Sequence, residues 1–62
     1  MDKNNYSYKS IESFIKANYY TWTVEKVLEE YKKYKNGYYV SYTMKHIIEN
    51  KESDIKSLLD EL

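Results

Sequence analysis

No arginine, cysteine, proline or glutamine occurs in this chain of 62 residues, and it holds one glycine, one histidine and one tryptophan. Each absence removes a class of explanation. Without cysteine there is no disulfide and no thiol nucleophile, and one histidine, His46, cannot build a closed structural metal site. His46 and Glu49 stand three residues apart, a spacing that puts half a metal site on one helix face, and no second pair completes it. Gly37 alone cannot form a glycine-rich phosphate loop. The adjacent carboxylates Glu29-Glu30 and Asp60-Glu61 diverge around a helix instead of converging on a substrate. The expectation is a protein that is not an enzyme and carries no cofactor or metal.

Arginine is the residue that reads guanine and phosphate with two parallel hydrogen bonds, so its absence weakens the case for sequence-specific DNA binding. All ten basic residues are lysines, matched by ten acids, and a net charge of zero gives no global steering toward nucleic acid or anionic lipid. The balance is uneven: residues 1–51 carry nine lysines against six acids, residues 52–62 one lysine against four. The second stretch reads as a solvated acidic helix. No apolar run approaches the ~18 residues that cross a bilayer. The start, Met1-Asp2-Lys3-Asn4-Asn5, has no apolar signal region. A cytoplasmic protein with no membrane role is expected. The bias toward Lys, Asn, Tyr, Ile and Glu resembles proteins of AT-rich bacteria or their phages.

What the chain has in excess is tyrosine, nine residues of it. A phenol ring joins a wide apolar body to one polar tip and suits surfaces that are buried when a partner docks. Sixty-two residues form a single domain, 1–62, whose first six are expected to fray. A chain of this length buries only ~60% of the surface its unfolded form exposes. With no covalent staple, stability rests on helix packing, aromatic burial or a second subunit, so a homodimer is one expected arrangement.

The pattern predicts a mainly α bundle of three to four short helices. Helix one begins near Ser7 or Ser10, with Ile11, Phe14, Ile15 and Asn18/Tyr19 on its buried stripe. Helix two is capped by Thr21 or Thr23, lines Val24, Val27, Leu28, Tyr31 and Tyr34 or Lys35 on one face, and stops at Gly37. Helix three, capped by Ser41, buries Met44, Ile47 and Ile48. After a link at Asn50-Lys51-Glu52, Ser53 caps a last helix with Ile55, Leu58, Leu59 and Leu62 inward. The alternative is a small winged-helix-like α+β fold, in which Asn36-Gly37 turns a β-hairpin between Tyr31–Lys35 and Tyr38–Thr43.

Two functional readings follow. Tyr19, Tyr31 and Tyr34, with Tyr39 as a fourth candidate, fit the core stripes. The other tyrosines would face water near Trp22. The preferred reading is a regulator or inhibitor, encoded by a phage or mobile element, that docks on a larger protein through Tyr20, Trp22, Tyr38, Tyr39 and Tyr42. The alternative is a helix-turn-helix DNA-binding regulator, with Lys32, Lys33, Lys35, Ser41, Thr43, Lys45 and His46 around the recognition helix. Its connection is longer than the usual three or four residues.

Overall fold

The computed structural model describes residues 2–61, with side chains from Tyr6 onward. Three helices follow one another: α1 (Asp2–Asn18), α2 (Val24–Lys35) and α3 (Tyr42–Glu61). No strand occurs among the described residues, so the mainly α expectation holds and the hairpin alternative does not. The strand-prone run after Gly37 has no neighbouring strand to pair with, and an isolated two-stranded hairpin is marginal in water.

α1 starts at Asp2, well before the serines expected to cap it. Ser7 is buried inside the helix and Ser10 lies along its packed face, because the inward stripe Ile11–Ile15 continues back through Ser7 at helical spacing. Asn18, expected on that stripe, is exposed, and its side chain bonds back to the Phe14 carbonyl. α2 opens where Thr23 accepts a hydrogen bond from the Lys26 N–H at 3.1 Å, while Glu25 lies in the first turn at the positive end of the helix dipole. Its close is a double bond reversal. The Tyr38 N–H donates to the Lys33 carbonyl at 2.9 Å and the Gly37 N–H to the Tyr34 carbonyl at 3.1 Å. Gly37 takes φ +90°, which costs glycine little and other residues more. Four residues later Ser41 accepts from the Met44 N–H at 3.2 Å and starts α3.

The expected third and fourth helices are continuous apart from a kink at Lys51 (φ −131°, ψ 19°), inside the stretch read as a link. Lys51 Nζ donates to Ser10 Oγ at 3.0 Å, and Ser10 Oγ in turn donates to Asp54 Oδ2 at 2.7 Å. This polar knot ties the kink to the middle of α1. Farther along, Phe14 and Tyr19 meet His46. Ser10 thus meets Lys51 and Asp54 while Phe14, a turn later in α1, meets the earlier His46, so the two helices run in opposite senses. α2 also opposes α3, with Tyr31 bonded to Glu52 and Tyr34 beside Lys45 and Ile48.

Where the three helices meet, Ile11, Ile15, Val24, Val27, Tyr31, Val40, Met44, Ile47, Ile48, Ile55 and Leu58 form one core. Phe14, Leu28 and Leu59, expected inside, are only partly buried around it. Leu62 lies outside the described residues. Val40 belongs to the α2–α3 connection, yet it is as buried as the helix residues.

Candidate functional site

The six-residue α2–α3 connection is held at three points. Gly37 reverses the chain, Val40 inserts into the core, and Ser41 caps the next helix. A loop pinned this way has no room inside for its remaining side chains. Tyr38 and Tyr39 are left 67% and 85% exposed, and Tyr42, in the first turn of α3, 84% exposed. Lys45 places its ammonium 5.7 Å from the centre of the Tyr39 ring, an arrangement that helps fix the ring at the surface. Three phenols and one lysine therefore stand on the connection and the first turn of α3, on backbone fixed at Gly37, Val40 and Ser41.

The other two residues of the expected partner surface lie at the α1–α2 connection. Tyr20 is 84% exposed, whereas Trp22 is half-buried, packed against the core with Lys26 Nζ 5.4 Å from the ring centre. The five residues thus form two groups, one at each connection. Tyr34, expected in the core, is exposed and rims a hollow with Lys45, Ile48 and Glu49. Tyr39, the fourth core candidate, is the most exposed tyrosine of all. Tyr31 is the one tyrosine in the core, and Tyr8 and Tyr19 are partly buried against it.

The alternative DNA-contacting set is partly committed elsewhere. Lys32, Lys33 and Lys35 lie exposed in the last turn of α2, but Lys33 pairs with Glu30 at 3.7 Å and Lys35 lies 5.9 Å over the Tyr31 ring. The Ser41 hydroxyl oxygen is occupied as a helix cap, and Thr43 is half-buried. His46 faces α1 instead of solvent. Its ring meets Tyr19 edge-on, with centroids 5.7 Å apart and planes at 85°, and its Nδ1 shares a hydrogen bond with the Tyr19 hydroxyl. The contact closes α1 against the start of α3, a packing role that takes His46 off the outer face of the recognition helix. Among the described residues no group of three or more His, Cys, Asp or Glu side chains could hold a metal ion, and no helix is long and apolar enough to cross a membrane.

Buried against α3, the Tyr31 hydroxyl donates to Glu52 Oε2 at 2.9 Å. Burial, then the bond to the Glu52 carboxylate, pushes this phenol up to about 12. Both act in one direction, because an ionised Tyr31 would be poorly hydrated and would face a second negative charge.

No protein-family model matches the chain, and no curated protein or solved structure is significantly similar to it.

Proposed function

We propose that this chain is a small non-catalytic protein-binding module, a stoichiometric regulator or inhibitor that docks on a larger protein through Tyr38, Tyr39 and Tyr42. The observation that carries this reading is the pinned connection, which holds three phenol rings in water on backbone fixed by the Gly37 and Tyr38 bonds and by buried Val40. Rigid aromatic side chains on preorganised backbone bind with little loss of conformational entropy, and tyrosine is enriched among the residues that dominate interface energies. Tyr20 and Trp22 form a second contact group at the other connection. The compositional bias fits a phage or mobile-element gene whose product covers a site on a host protein in the cytoplasm.

A second reading is favoured by the order α2, connection, α3, with Lys32, Lys33, Lys35 and Lys45 exposed around it. It makes the chain a helix-turn-helix DNA-binding regulator whose lysines contact phosphates. Such contacts give affinity that falls steeply with salt.

One experiment separates the two. The wild-type chain and the triple variant Tyr38→Ala/Tyr39→Ala/Tyr42→Ala are used as bait against a host lysate, with and without nuclease, and DNA binding is titrated in low salt. The docking reading predicts a protein partner retained through nuclease treatment, with affinity at least ~30-fold lower for the folded triple variant. Equal capture by both baits would refute it. Duplex binding that weakens with salt, and that Lys45→Gln reduces, would move the assignment to DNA.

A further inference from the structure

Between the two helices of the first connection lies a hollow of about 190 Å³, set apart from Tyr38, Tyr39 and Tyr42 and walled in part by Tyr20 and Trp22 of the second contact group. Tyr8, Tyr20 and Trp22 supply aromatic walls, Glu12 and Glu25 supply two carboxylates, and Lys16 is the one basic residue on its lining. Buried Ile15 and Val24 close the floor. Pockets for drug-sized ligands span ~300–1,000 Å³, so this one suits a single small headgroup. Its chemistry is specific: aromatic faces carry negative quadrupole potential, and carboxylates beside them add net negative charge. Lys16 pairs with Glu12 at 3.9 Å on a long, exposed side chain, and an exposed pair of this kind is weak.

Two further features bear on the charge at these rings. The Tyr8 phenol is held above its usual range, first by the Glu25 carboxylate, then by burial and by Glu12. The Trp22 ring already holds an ammonium, that of Lys26 at 5.4 Å from its centre, whose place an incoming cation takes.

We propose that this pocket is a binding site for an alkylammonium group, of the kind carried by lysine side chains, their N-methylated forms and choline. The cation sits against Tyr8, Tyr20 and Trp22, and Glu12 and Glu25 balance its charge. Anionic and neutral headgroups of the same shape are rejected, the first by the carboxylates and the second for want of the cation–π attraction.

The test is an NMR titration of the intact chain, read at the backbone amides of Thr23, Val24 and Glu25. The probes are Nα-acetyl-lysine methylamide, its Nζ-trimethyl form, choline, and the neutral norleucine analogue. Saturable shifts are expected for the cations, with dissociation constants in the range of about 1–10 mM, and none for norleucine. Tyr20→Ala and Glu25→Gln should each weaken the cations about threefold to fivefold. Both side chains are exposed, so the fold should persist, and unchanged amide positions elsewhere check this. Tighter binding of the lysine forms than of choline assigns the ammonium to a protein side chain, and the reverse order assigns it to a free small molecule. Norleucine binding as well as the cations, no saturation up to about 50 mM, or unaltered affinity in both variants would overturn the proposal. The titration does not involve Tyr38, Tyr39 or Tyr42, so it can fail while the docking surface stands.

Discussion

Tyr31 and Tyr34 lie on the same helix three residues apart, and they show what one side chain's surroundings decide. Tyr31 is 2% exposed and bonded to Glu52, while Tyr34, one turn nearer the helix end, is 40% exposed. Periodicity placed both on one stripe. It could not show that α3 covers the middle of α2 and leaves a hollow beside its last turn. The raised Tyr31 phenol has a stability consequence whose sign is set by linkage. Its folded value, about 12, exceeds the ordinary phenol value of 10.0, so the folded chain keeps a proton that the unfolded chain gives up. The stabilisation is fully present below pH 10 and is lost as the pH rises toward 12. Tyr31→Phe should cost about 1.5–3 kcal/mol at neutral pH through the lost bond to a carboxylate. It should also flatten the decline in stability between pH 10 and 12. Urea unfolding at several pH values checks both, and an equally steep decline in the variant would show that another group is responsible. His46 was harder to read. Its partner Tyr19 is 27 positions away in sequence, and only the closure of α1 on α3 brings them together.

At the scale of elements, the signals that act locally were legible. Thr23, Ser41 and Gly37 cap or stop helices as their chemistry predicts, because capping needs only neighbouring backbone. The break near Lys51 was also foreseen, though as a link between helices and not as a kink within one. What a helix packs against is a property of the assembled fold, and this explains both a misread helix start and the failure of the hairpin alternative. The N-terminal turns of α1 continue past Ser7 and Ser10 because those residues extend the inward face. Tyr38–Thr43 avoids the β state because Val40 is claimed by a helical core. The connection's geometry depends on Gly37 and Ser41, and each can be tested. A Cβ on residue 37 would meet no atom within 4 Å, so Gly37→Ala should pay only the backbone cost of positive φ, ~1 kcal/mol. Ser41→Ala should lose about 1 kcal/mol through its cap. In a domain of this size each kilocalorie lowers the melting temperature by roughly 4–8 °C, measurable by far-ultraviolet circular dichroism. An unchanged Gly37→Ala melting curve would mean that the reversal is not under conformational constraint.

For the whole molecule, size governs what can be hidden. The fold spans 33 × 25 × 16 Å, too thin to enclose nine phenols and the aliphatic stripes of three helices together. The aliphatic residues take the interior and Tyr6, Tyr20, Tyr34, Tyr38, Tyr39 and Tyr42 remain outside. That excess over the core's capacity was readable from composition and length. Its division between the two connections was not, because it follows from where the chain reverses. Exposed phenols in such density on a folded scaffold are the basis of the docking proposal, and solvent access can be read residue by residue. Brief nitration with tetranitromethane, followed by peptide mapping, should modify Tyr38, Tyr39 and Tyr42 in the free chain and spare Tyr31. When the captured partner saturates the chain, those three should become protected while Tyr6 stays reactive. Labelling of the three that is the same with and without partner, or Tyr31 as reactive as they are in the free chain, would contradict the proposed docking surface.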